Sequence, residues 1–211
     1  MQDFQQILAS PSLTWEEGRQ FFQGKGMLNN ALTRLIADLQ RHGIDYNLIG
    51  AGALNQHGYA RFTVDIDLLL SPEGLQRFQK ELVGLGYRPA FEGAQKKFRS
   101  TADNVPIEII VSGEYPGDGK PKPIRFHDPG EHFVIIEGIK TVDLETLIVL
   151  KLASGMTAPG RLKDLADVEE LIRIKQLDES YAERLDDFVR DKFVELARGV
   201  ALAREMEDPE R

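Results

Sequence analysis

Asp65 and Asp67 stand two residues apart inside an otherwise apolar stretch, Phe62-Thr63-Val64-Asp65-Ile66-Asp67-Leu68-Leu69-Leu70. Side chains alternate along a strand, so Phe62, Val64, Ile66, Leu68 and Leu70 are expected to point into a core. Thr63, Asp65, Asp67 and Leu69 then take the opposite face. Two carboxylates with roots about 7 Å apart can converge on one hard cation, or flank a pair of cations about 3.5 to 4 Å apart. Without a cation they repel each other. The solvent face of a half-buried strand also shows D-x-D by chance, and the pair alone does not separate the two readings. Thr63 and Leu69 favour the metal reading, because a solvent face more often carries Lys or Glu at such flanks. A third acid, Glu108, interrupts another apolar run, Pro106-Ile107-Glu108-Ile109-Ile110-Val111. If the two strands are neighbours, three carboxylates meet on one sheet face, an arrangement that calls for neutralising metal.

A small-residue turn precedes these acids. Leu48-Ile49-Gly50-Ala51-Gly52-Ala53 reads as strand, turn and short helix. Backbone N–H groups at such a turn make an anion site, and a tight turn without a ligand would need the same small residues. Asn55 stands where a dinucleotide fingerprint needs its third glycine, and no Gly-Lys-Ser/Thr follows as in a P-loop.

Elements that would position these residues follow from periodicity. Helices are expected over 27–41, 73–85 (after the cap Ser71-Pro72), 143–154, 161–175 and, as one or two pieces, 181–207. Strands are expected over 45–49, 62–70, 98–100, 106–111 and 132–136. Residues 1–26 are irregular or a short helix, and 112–129, rich in Gly and Pro, is a long loop. The fold class is α+β: a mixed sheet flanked by helices over 1–140, then a helical region over 141–211.

Composition excludes several classes. The 211-residue chain has no cysteine, hence no disulfide, thiolate zinc site or thiol nucleophile. Its four histidines, at 42, 57, 127 and 132, are scattered, and no His-based metal site is expected. A net charge of −8 argues against coating nucleic acid by bulk electrostatics. The cationic runs at 95–99 and 120–125 read as solvated surface or local patches. No apolar run of membrane-spanning length and no secretory signal is present, so the cytoplasm is the expected location.

The combination resembles the nucleotidyltransferase superfamily of the DNA polymerase β type: a small-residue turn, about a dozen residues, D-x-D in an apolar strand, and a later single acid. Gly50-Ala51-Gly52-Ala53, His57-Gly58, Arg61, Thr63, Asp65 and Asp67 are most similar to the bacterial abortive-infection type II toxin group. Lys151 within 147–154 and Arg161-Leu162-Lys163-Asp164-Leu165-Ala166-Asp167 are similar to the same group, over about residues 45 to 175 in all. One departure is Ala51, where the superfamily turn has Gly or Ser.

The resemblance implies transfer of a nucleoside monophosphate from an NTP to an acceptor hydroxyl or phosphate on RNA, a protein or a small molecule. Asp65, Asp67 and Glu108 would hold two Mg²⁺ ions, with Mn²⁺ as a substitute, or Glu108 would take the acceptor proton. Gly50, Ala51 and Gly52 would cradle phosphate, and Lys151 would place a point charge on the triphosphate. Arg61 would clamp phosphate or pair with an acid. Asp164 and Asp167 would bind base or metal, orient Lys151, or be helix-surface charges. The helical region would complete the cleft. A toxin–antitoxin role, with an antitoxin as partner, is implied by the closest group. The competing reading is a non-catalytic nucleotide-binding or interaction module of the same fold.

Overall fold

A computed structural model describes residues 3–207. Its elements are helices α1 (Phe4–Leu8), α2 (Pro11–Phe21) and α3 (Gly26–Arg41), strand β1 (Asn47–Leu48), α4 (Gly50–Gln56), β2 (Ile66–Leu70), α5 (Pro72–Glu81), β3 (Tyr87–Pro89), β4 (Lys97–Ser100), β5 (Pro106–Val111), β6 (Phe133–Ile136) and β7 (Ile139–Val142). Helices α6 (Leu144–Thr157), α7 (Leu162–Lys175) and α8 (Asp187–Glu207) follow, with short 3-10 turns before α7 and α8. The chain divides into two compact units. The first holds residues up to Gln56, Ala60–Ser112 and His127–Val142; the second holds His57–Tyr59, Gly113–Phe126 and the chain from Asp143 onward.

The first unit is built on a seven-stranded mixed sheet of order β3-β4-β5-β2-β1-β7-β6. Strands β2 and β5 are parallel, as are β1 and β7, and the other pairs are antiparallel. Alternation explains its main face. Leu48, Ile66, Leu68, Leu70, Ile107 and Ile109 all point to one side and are buried with Leu35 and Leu39 of α3 and Phe78 of α5. Burying side chains of this size contributes roughly 1.5 to 3 kcal/mol each. In the second unit, Leu152 of α6, Val168 and Ile172 of α7 and Phe193 of α8 are fully buried. No helix among the described residues is long and apolar enough to cross a membrane.

Several boundaries differ from the sequence reading. The Asp strand begins at Ile66, not Phe62, and Val64, expected in the core, is exposed. The chain at 61–65 is a loop and bend, so apolar alternation there reflects no pleat. Strands β3 and β7 were not expected. The latter returns from β6 through Glu137 and Gly138, both at positive φ (50° and 80°), the backbone of a two-residue type I′ hairpin turn.

The stretch 1–26, of which residues 1 and 2 lie outside the described ones, forms two helices rather than one or none. The second of them has a capping role. Glu17 of α2 is buried, and its Oε1 accepts hydrogen bonds from the backbone N–H groups of Met27 and Leu28, at 2.8 and 3.2 Å. The residue before α3, Lys25, provides no side-chain cap, so a carboxylate ten residues upstream satisfies the helix's first donors and complements its dipole. Replacing Glu17 by Ala is expected to destabilise the protein by about 2 kcal/mol, read as a lower urea midpoint with unchanged slope.

Candidate functional site

The β2–β5 register sets Asp67 directly opposite Glu108. Residues paired in this way share a face, so the two carboxylates project from the side opposite the apolar core, from adjacent strands about 4.8 Å apart. Asp65 lies in the bend just before β2, and its Oδ1 accepts a hydrogen bond from the Thr63 hydroxyl at 2.7 Å. The strand therefore carries one of the two aspartates, and the bend carries the other.

Strand β1 runs antiparallel to β2 and ends beside Asp67, the Ile49 N–H donating to the Asp67 carbonyl at 3.1 Å. The chain turns at Gly50, at φ 61°, and enters α4. Only glycine fits here on two counts: the left-handed backbone, and a Cβ that would overlap the Asp67 carboxylate. The turn predicted as a phosphate cradle is thus packed against the carboxylate predicted as a metal ligand. At Gly52 the close neighbour is instead the Leu48 side chain, 2.8 Å from where a Cβ would sit, so this glycine serves packing of α4 on β1.

Two positions gain roles that sequence reasoning missed. Asn55, noted only as a missing glycine, ties α4 to the loop before the aspartates. Its Nδ2 donates to the carbonyls of Ala51 and Arg61, at 2.8 and 2.6 Å, and its Oδ1 accepts from the Arg61 N–H at 3.0 Å. Arg61 is therefore fixed through its backbone. Lys97 of β4 is register-paired with Glu108, and its Nζ lies 3.4 Å from Oε2. Both side chains are about half exposed, so this ion pair contributes at most about 1 kcal/mol and yields readily to a competing cation. Alternation within Lys97-Phe98-Arg99-Ser100 was the available signal for a cation on the acidic face.

Beside Asp65 lies a cavity of about 50 Å³, lined by Asn29, Asn55, Gln56 and Thr63 over an apolar floor that includes Leu28 and Leu48. That is room for water-sized molecules only, far too small for a nucleotide. The Oε1 atom of Gln56 is buried without a hydrogen-bond partner.

In the second unit, Lys151, Asp164 and Asp167 meet inside the helical pack. The Lys151 ammonium donates to Asp164 Oδ1 at 3.0 Å and to Asp167 Oδ2 at 2.7 Å. The Ser154 hydroxyl donates to Asp164 Oδ2 at 2.7 Å, and Arg161 Nε lies 3.3 Å from the same oxygen. All three charged residues are buried, so 164 and 167 are not helix-surface charges, and the Lys151 ammonium is directed at the two aspartates. Burial pushes the Asp164 carboxyl up. The Lys151 charge and the Ser154 hydrogen bond outweigh it and hold the group below its ordinary value. His57 is buried, in keeping with a packed histidine.

The first unit is thus a mixed sheet flanked by helices, with the Gly50 turn after β1 packed on Asp67 and with Asp67 and Glu108 paired across β2 and β5. Among solved structures, the chain is similar to the crystal structure of ANT(2″)-Ia in complex with adenylyl-2″-tobramycin, with a TM-score of 0.51 and 15% identity over 78% of this chain and 95% of that one. It is also similar to the solution structure of the antibiotic-resistance factor ANT(2″)-Ia, with a TM-score of 0.49 and 12% identity over 85% and 96% of the two chains. At such identities the likeness is one of fold. No family model and no curated protein sequence matches the chain.

Proposed function

We propose that the chain transfers a nucleoside monophosphate from an NTP to an acceptor hydroxyl. The observation that carries this reading is the pairing of Asp67 with Glu108 across β2 and β5, with Asp65 two residues upstream and the Gly50 turn packed on Asp67. An all-oxygen donor set suits Mg²⁺ or Mn²⁺, and backbone N–H groups of the Gly50 turn beside Asp67 suit a phosphate. Asp65, Asp67 and Glu108 would hold the ions. Bound there, Mg²⁺ supplies charge stabilisation at the oxygens of an in-line displacement.

The chain's own residues do the rest. Backbone N–H groups from Gly50 to Gly52 orient phosphate, and Asn55 keeps Arg61 and the approach to Asp65 in register. The acceptor oxygen attacks the α-phosphorus, the bond to the bridging oxygen breaks, and pyrophosphate leaves. The acceptor's proton passes to Glu108 or to solvent. Lys151, Asp164 and Asp167 enter this proposal as the ion network that holds α6 to α7. The net charge of −8 favours a cationic small-molecule acceptor over RNA. The neighbour in fold is described with an adenylylated aminoglycoside, an acceptor of that kind.

A second reading rests on Lys97. Because it neutralises Glu108, the acidic face can persist without metal, as in a nucleotide-binding or interaction module that performs no transfer. Calorimetry of the four NTPs with and without Mg²⁺, on wild type and Asp65→Ala/Asp67→Ala, tests the metal–nucleotide site. Labelled NTP with aminoglycoside, RNA and protein acceptors then tests transfer. Binding that needs Mg²⁺ and both aspartates, followed by label on the aminoglycoside, is the expected result. Binding without transfer to any acceptor would put the second reading first, and label on RNA or protein would overturn the acceptor class.

A further inference from the structure

Among the described residues, one group of three metal-ligating side chains converges, away from the carboxylates of β2 and β5 and with different chemistry. His127, Glu131 and His132 each offer one ligand atom, and these atoms all lie within 4.8 Å of one another. The two imidazole rings stand 4.4 Å apart between centroids, inclined by 53°, and His127 Nδ1 is 3.9 Å from Glu131 Oε2. Ligand atoms around one tetrahedral zinc ion at ordinary bond lengths are about 3.3 Å apart, so the trio is open by up to about 1.5 Å. His132 and Glu131 are exposed and His127 is partly so, so small rotamer changes close that gap without disturbing a core.

The backbone beneath is ordered. Asp128 accepts the Glu131 N–H through its carbonyl at 2.9 Å and the Gly130 N–H through Oδ1 at 3.2 Å, forming a turn that brings residue 131 back over 127. The Nδ2 of Asn47, itself buried in β1, donates to the Glu131 carbonyl at 3.4 Å and ties this turn to the sheet. His132 takes a left-handed backbone at φ 50°, unusual for a residue with a side chain, and so reverses the chain into β6.

We propose that His127, Glu131 and His132 form a site for a zinc-class divalent ion. Two imidazoles and one carboxylate select Zn²⁺, Co²⁺, Ni²⁺ or Cu²⁺ over Mg²⁺, the reverse of the all-carboxylate set on β2 and β5. Three protein ligands leave a fourth position for water or an exogenous donor. The register places the site on a specific rim. Phe133 pairs with Val142 in β7, whose preceding residue Thr141 pairs with Leu48 of β1, and Leu48 pairs with Leu68. His132 therefore sits at the same end of the sheet as Gly50 and Asp67, three strands across from β2, which is roughly 14 Å at ordinary strand spacing. The ion would close the 127–132 turn on itself at that rim.

The test uses the untagged, metal-free full chain. Zn²⁺ is titrated in competition with a chromophoric chelator, and Co²⁺ is followed by its visible absorption. We expect one equivalent bound, a Co²⁺ spectrum of four- or five-coordinate type, and at least 30-fold weaker binding in His127→Ala/His132→Ala. Asp65→Asn/Asp67→Asn should bind Zn²⁺ as wild type does, which separates this site from the proposed nucleotide site. Should the double His variant fail to fold, Glu131→Gln gives the same readout with a weakening of at least 10-fold. No binding below about 100 µM would overturn the proposal. So would binding that survives loss of both histidines, or binding that disappears with the two aspartates.

Discussion

Replacing Asp67 by Asn is expected to lower nucleotidyl transfer on the order of 10³-fold, about 4 kcal/mol, while leaving stability within about 1 kcal/mol of wild type. The substitution keeps the shape of a side chain packed against Gly50 and removes only charge. Charge is what the proposed chemistry needs, because a neutral amide is a poor ligand for a hard cation. The fold loses little, since Asp67 and Glu108 are like charges set directly opposite each other. Transfer of labelled NMP and a thermal melt, run on the same preparation, read the two effects separately. A variant that is inactive and melts more than about 5 °C lower would instead make Asp67 a structural residue, and the case for catalysis would fail with it.

Lys151→Met should unfold the protein far more readily, by about 3 to 5 kcal/mol, equivalent to a melting temperature lower by about 6 to 20 °C. The substitution leaves Asp164 and Asp167 buried without their shared cation. Adding Asp164→Asn and Asp167→Asn to the same chain should recover most of the loss, because neutral amides need no counter-charge. The pH dependence has a definite sign. In wild type the Asp164 carboxyl is held below its ordinary value, so its contribution is present above about pH 4 and is lost as pH falls through the lowered value. Without Lys151 the largest lowering influence is gone, and burial, which raises the group, is opposed only by the Ser154 hydrogen bond and Arg161. The single variant should therefore regain ground on wild type near pH 4. A gap that stays constant from pH 7 to 4 would mean that packing of the methylene stem, and not the ion network, holds α6 to α7.

Much of this was legible from residue types. Pro106–Val111 reads as a strand with Glu108 opposed to its apolar residues, and Ser71-Pro72 marks the start of α5, where the Ser71 hydroxyl indeed caps Gly74 N–H. The Asp strand was read four residues too long because Phe62 and Val64 continue the alternation into a loop, and period two is blind to where pleating ends. Glu17 could not be recognised as a cap, since its partners lie ten and eleven residues downstream and only tertiary packing joins them. The hairpin at Glu137-Gly138 did carry a signal, a Glu-Gly pair between Ile136 and Ile139. The histidines at 127 and 132 appeared scattered because sequence spacing does not show that a turn at Asp128 folds one onto the other.

Strand β1 contributes two residues to the middle of a seven-stranded sheet. On one side stand four strands tied through the long β2–β5 ladder, and on the other a single hairpin, β6–β7, joined to β1 through Leu48 and Thr141. Such a sheet behaves as two cooperative blocks stitched by a narrow seam. The smaller block can detach in a sub-global opening, its amides exchanging with solvent sooner than those of β2 and β5, while the carboxylate-bearing block stays closed.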